Sequence, residues 1–142
     1  MSKKNRNTLQ RNRDFGRCCL EVYKAMHAVG RTPTLREVVR RAIACRPQAF
    51  YIDTVYAYNK LCRMQRSPGE AASTPVACMW RQLAALVEAE RLRSGSSILR
   101  ALGDVLNRER PASFAISVDE GVRIARQLFI GYSSHRPRRC LL

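Results

Sequence analysis

Few side chains in this chain could carry out a reaction. His27 and His135 are its only histidines, and neither has a second histidine or a cysteine at metal-ligand spacing. Cys18 and Cys19 are adjacent, while Cys45, Cys62, Cys78 and Cys140 are scattered without the pairing of a zinc or redox motif. No glycine-rich phosphate loop, Gly-x-Ser-x-Gly elbow or kinase motif set occurs. The best-placed acids, Glu37, Asp53, Asp119 and Glu120, fall where helices should begin, so capping occupies them before acid–base work could. These residue types point away from an enzyme and call for no cofactor and no metal.

Arginine is abundant instead. The 142 residues carry 26 Lys and Arg against 11 Asp and Glu, a formal net charge of +15. Only Lys3, Lys4, Lys24 and Lys60 are lysines. A guanidinium is a planar, permanently charged fork that matches phosphate and carboxylate better than an ammonium point charge. A GC-rich genome would also enrich arginine, but uncompensated positive charge opposes compaction and suits a polyanionic partner. No run of 18 apolar residues is present, so no membrane span is expected. The basic opening is followed by no apolar signal segment before Phe15, and with scattered cysteines this makes a reducing cytoplasm the expected setting.

The elements that must position these arginines read as six helices, an all-α fold. Residues 1–13 are polar and basic without apolar period and are expected to form a flexible arm. Phe15, Cys18, Cys19, Val22, Met26 and Val29 recur at helical spacing, predicting a helix over 14–29 capped by Gly30. Thr34-Leu35-Arg36-Glu37 is a capping box opening a second helix with Leu35, Val38, Val39, Ala42 and Ile43 on one face, stopped by Pro47. Asp53 caps a third, to about Gln65, with Val55, Tyr58, Leu61 and Cys62 as core candidates. After a linker at 67–75, a fourth carries Val76, Met79, Trp80, Leu83, Leu86 and Val87 to near Arg93. A fifth buries Leu99, Leu102, Val105 and Leu106. A second capping box, Ser117-Val118-Asp119-Glu120, opens the sixth, ending before Gly131.

The two halves read alike at a constant offset of 64. Arg46-Pro47 falls on Arg110-Pro111, Phe50 on Phe114, Ile52 on Ile116 and Asp53 on Ser117. From Leu35 to Ile52, six of eighteen positions are identical, where chance gives about one. The expected architecture is therefore two three-helix units, 14–66 and 76–131, related by a pseudo-twofold axis and packed as one domain, with a basic tail at 132–142. The Phe-x-Ile pairs should plug the core between helices two and three, and between five and six; the extended segments could pair as a short antiparallel ribbon.

Thr34-Leu35-Arg36-Glu37-Val38 with Arg41-Ala42, then Ala49-Phe50-Tyr51, resembles the second and third helices of TetR-type repressors, a helix-turn-helix. The chain departs from that pattern with Ile43-Ala44-Cys45 where those repressors place a turn glycine, and with Phe50-Tyr51 ahead of a capped helix rather than within one. No membership follows; the resemblance implies Gln48 and Tyr51 as groove-facing residues. The functional expectation rests on charge: nucleic-acid binding by Lys3, Lys4, Arg6, Arg11 and Arg13 of the arm, Arg36, Arg40 and Arg41 of the second helix, and Arg136, Arg138 and Arg139 of the tail. A twofold body would offer duplex DNA two similarly spaced contacts, with RNA also open. The alternative is a helical adaptor or assembly protein whose basic surface docks an acidic partner, marked by an exposed aromatic patch.

Overall fold

Caps and breakers set the ends of six helices in a computed structural model that describes residues 3–66 and 73–133. In chain order these are α1 (Lys3–Ala28), α2 (Leu35–Ile43), α3 (Thr54–Arg66), α4 (Pro75–Ser94), α5 (Ile98–Arg108) and α6 (Val118–Ser133), with no strand among the described residues. Gly30, at φ 82°, closes α1, and the Arg31 amide reaches back to the Met26 carbonyl at 3.0 Å. Thr34 and Glu37 form the reciprocal capping box of α2. The Asp53 carboxylate accepts from the Val55 amide (3.1 Å) to open α3. Thr74 and Ser97 cap α4 and α5, and the Ser117 hydroxyl accepts from the Glu120 amide (3.1 Å) in α6.

The basic segment at 3–13 is not a flexible arm: it forms the first turns of α1. Its polar residues carry no apolar period, yet nucleation is already met by the Phe15–Met26 stretch, and extension adds one backbone bond for each residue fixed. Gln10 also donates to Asp14 at 3.0 Å, and Arg11 is drawn toward Glu120 of α6.

Two cores form, and each recruits its third helix from the other half of the chain. Phe15, Cys19 and Met26 of α1, and Val38, Val39 and Ala42 of α2, pack with Phe114, Ile116 and the α6 residues Val122, Ile124, Ala125 and Phe129. Trp80, Leu83 and Val87 of α4, and Ala101, Leu102 and Val105 of α5, pack with Phe50 and the α3 residues Ala57 and Leu61. The aromatic plugs follow the exchange. Phe114 meets Phe15 edge-on with ring centroids 5.3 Å apart, and Phe50 joins α3, α4 and α5 rather than lying between α2 and α3.

Several expected positions shift with this packing. On α3 the buried stripe is Ala57 and Leu61 while Val55 is exposed, because α3 turns its small-residue face to α5. On α5, Ala101 is buried and Leu99 half exposed. The extended segments do not pair as a ribbon; the Phe114 amide donates to the Ile43 carbonyl at 3.0 Å instead.

Candidate nucleic-acid interface

The helical continuation of α1 organises its cations. Arg6, Arg13, Arg17 and Lys24 recur at intervals of seven, four and seven, so they project from one side of the helix, opposite Phe15, Cys19 and Met26. All four are exposed. From Arg6 to Lys24 the stripe runs about 27 Å at the α-helical rise. Two acids flank it. Asp14 is buried, and Arg17 approaches that carboxylate at 3.6 Å while keeping 65% of its side chain exposed. Glu21 is exposed, one helical turn from Arg17 and from Lys24. The expectation from sequence included Arg6 and Arg13 but missed Arg17 and Lys24. The seven-residue spacing was the available signal, and it became meaningful once the opening segment proved helical.

The other candidates divide by what their guanidinium groups meet. Arg36 ion-pairs across the structure with Asp119 of α6 at 3.0 Å. Arg11 is half-buried and lies 3.9 Å from Glu120, whose carboxylate is hydrogen-bonded by Arg123. Arg36 and Arg11 thus tie α2 and α1 to the acidic first turn of α6. Burial is the main force lowering the pKa of Arg11, opposed by Glu120 and reinforced by Arg123. Arg40 and Arg41 are exposed on α2. Glu37 does not pair with Arg41 in the helix; it turns back to cap Thr34 and meets Arg31 at 3.1 Å. Lys3 and Lys4 begin α1, but their side chains, and the whole of Arg136, Arg138 and Arg139, lie outside the described residues.

Tyr51 does not face a groove as a recognition-helix residue would. Its hydroxyl donates to the buried Asp14 carboxylate of α1 at 2.5 Å, and its ring stacks on Phe114 with the planes 7° apart. It holds φ at 59°, the one non-glycine residue in that region among those described. Desolvation, with the bond and charge of Asp14 added, pushes the Tyr51 phenol well above its ordinary pKa. Gln48 is exposed and its amide donates to the Tyr51 hydroxyl at 3.4 Å. Ten residues separate α2 from α3, and Phe50-Tyr51 lie in that non-helical segment, so the helix-turn-helix geometry implied by the resemblance does not form.

Two recesses are lined by Ala49–Ile52, the smaller also by the segment preceding α6. The smaller holds about 180 Å³ and is lined by Phe50, Met79 and Pro111, with Asn7 and Arg11 of α1 on its wall. The wider, about 600 Å³, is lined by Asp14, Arg17, Gln48, Tyr51 and Asn107.

Among the described residues no three His, Cys, Asp or Glu side chains gather where a metal ion could be held. Nor is any of these helices long and apolar enough to cross a membrane. The chain matches no known protein family, and no curated protein or solved structure matches it.

Proposed function

We propose that this is a non-enzymatic nucleic-acid-binding protein that grips the phosphate backbone with the outer face of α1, assisted by Arg40 and Arg41 of α2. The observation that carries this reading is the exposed stripe of Arg6, Arg13, Arg17 and Lys24. Cations spaced along a rigid helix match a polyanion, and their contact releases counterions, which supplies affinity without a shaped catalytic site. A reducing intracellular setting belongs to the same reading, since Cys18, Cys19, Cys45, Cys62 and Cys78 are unpaired thiols.

The reading includes a tandem duplication with exchanged third helices about a pseudo-twofold axis. Three features support it. The residues Arg46 and Arg110, 64 apart, each donate to the other's carbonyl. The α2 and α5 caps, Thr34 and Ser97, lie 63 apart, as do the buried positions Val38 and Ala101, Val39 and Leu102, and Ala42 and Val105. The buried pairs Ala57 and Gly121, and Leu61 and Ala125, return to 64, so one extra residue falls near the end of α5. The outer faces of the halves differ: 64 residues on from Arg13, Arg17 and Lys24 stand Ala77, Arg81 and Glu88. The proposal is accordingly one basic helix on one half, not two similarly spaced contacts.

The alternative, docking of a partner protein, draws on Leu92 and Leu99, which flank the turn between α4 and α5 at 79% and 50% exposure. Trp80, the strongest aromatic anchor, is buried, which favours the phosphate reading.

Fluorescence anisotropy with labelled duplex DNA, single-stranded DNA and RNA, repeated across salt concentrations, tests the proposal. Replacing Arg6, Arg13, Arg17 and Lys24 together by alanine is expected to reduce the slope of log K against log salt by roughly three to four. An unchanged slope and affinity in that variant would remove α1 from the interface.

A further inference from the structure

The smaller recess differs from an ordinary packing defect in its size, its walls and the charge at its edge. Its volume of about 180 Å³ is below the roughly 300–1,000 Å³ of pockets that enclose a whole small-molecule ligand. A cavity of about 150 Å³ nonetheless holds a benzene ring. The walls suit a flat apolar body: the buried Phe50 and Pro111 and the part-buried Met79. Asn7 and Arg11 of α1, Val76 of α4 and Ser113 are also on its wall.

Arg11 supplies the second observation. Its side chain keeps only 25% of its surface exposed, and its hydrogen bonds go to the neutral side chain of Asn12 at 3.2 and 3.0 Å. The carboxylate of Glu120 stands 3.9 Å away and is hydrogen-bonded by Arg123. A half-buried guanidinium with so little compensation is costly to hold charged, and an arriving anion lowers that cost. Asn7 and Arg11 share turns of α1 with Arg6 and Arg13 but stand well round the helix from that stripe, on the side that leads to Phe15.

Resting on the nucleic-acid reading above, we propose that this slot accepts the base of one unpaired nucleotide, stacked against Phe50, Met79 and Pro111, with its phosphate met by Arg11. An unpaired base can leave its strand at small unstacking cost, whereas a base in an intact duplex cannot enter. The protein then prefers nucleic acid with an unpaired nucleotide over a perfect duplex, on top of its general phosphate affinity.

The test uses the full chain and three labelled oligonucleotides: a perfect duplex, the same duplex with one bulged nucleotide, and that bulge made abasic. The wild type is expected to bind the base-containing bulge about tenfold more tightly than the other two, the scale of one base stack. Val76→Trp should fill the slot and bring the preference close to one without altering the salt slope of binding to the perfect duplex. Val76 is 49% exposed, so this change spares the core. Ser113→Trp, at another exposed lining position, repeats the test if the first variant loses its helical circular dichroism. Equal binding of the base-containing and abasic bulges, or an unchanged preference in a folded Trp variant, overturns the slot alone. Absence of binding to all three at physiological salt overturns the nucleic-acid reading with it.

Discussion

The guanidinium of Arg110 donates to the carbonyl of Arg46 at 2.9 Å, and that of Arg46 donates to the carbonyl of Arg110 at 3.3 Å. Each carbonyl precedes a buried proline, where the chain has left its helix and no backbone donor follows at helical spacing. The two arginines therefore satisfy each other's exit from α2 and α5. Arg110 does more, since its Nε also donates to the Pro47 carbonyl at 2.6 Å. Arg110→Ala is expected to cost about 1–3 kcal/mol and the more exposed Arg46→Ala less than about 1 kcal/mol. Urea unfolding of both, and of the double variant, checks this; because the residues share one junction, the combined loss should differ from the sum.

Tyr51 and Asp14 make a comparable joint between α1 and the α2–α3 segment. Tyr51→Phe keeps the stacking on Phe114 but leaves the buried Asp14 carboxylate without that donor, at a cost of about 1–3 kcal/mol. The phenol is raised above its ordinary value near 10, so the folded state holds this proton more tightly than the unfolded one. Its contribution is complete below that value and is lost as pH climbs beyond it. Tyr58 is raised as well, by its hydrogen bond to Cys62. Ultraviolet titration of tyrosine ionisation should therefore show one fewer late-ionising group in Tyr51→Phe than in the wild type.

Two glycines in helices predict opposite outcomes on substitution by alanine. A Cβ on Gly121 of α6 would stand 2.6 Å from Cγ1 of the buried Val39 and 3.1 Å from Cζ of Phe15. Neither neighbour has room to move, so Gly121→Ala should cost about 1–3 kcal/mol. At Gly16 the Cβ would meet Cδ1 of Leu128 at 2.7 Å, but that side chain is 38% exposed and can swing outward. Gly16→Ala is expected to be neutral or to stabilise by up to about 1 kcal/mol through helix propensity. Thermal unfolding of the two variants distinguishes them.

Glu90, buried on α4, is held by Arg93 of its own helix and by Arg108 of α5 at 2.8 Å. Hydrogen bonds from Arg93 and then Arg108 lower its carboxyl pKa against the opposing effect of burial. A depressed carboxylate contributes its stability above the ordinary value of 4.5 and loses it as pH falls through the folded value. Urea midpoints measured down to about pH 3 should therefore fall more steeply in the wild type than in Glu90→Gln. Parallel curves would show that the Glu90 cluster adds nothing to acid stability.

Arg36 and Arg13 should separate structural from functional charge. Arg36→Ala removes an exposed ion pair with Asp119 and is expected to shift stability by less than about 1 kcal/mol. Arg13→Ala should leave stability unchanged and lower the salt slope of binding by about one. Anisotropy and urea unfolding of the two variants side by side provide the check.

Caps act over three or four residues, so the starts of helices α2 to α6 were legible in the chain: Thr34 with Glu37, Asp53 with Val55, Ser117 with Glu120. Apolar spacing alone also marked Phe50, Trp80 and Phe114 for burial. Tertiary structure decided which core each joined. A helical stripe specifies the face that must leave water but not the neighbour that covers it, so the crossing of α3 to α4–α5 and of α6 to α1–α2 could not be read from periodicity. The Tyr51–Asp14 bond spans 37 positions, and nothing local announces it. The basic stripe lies between these cases: its spacing was written in the chain, but it became a surface only when an apolar segment nucleated α1 and the helix ran back through the polar residues to Lys3.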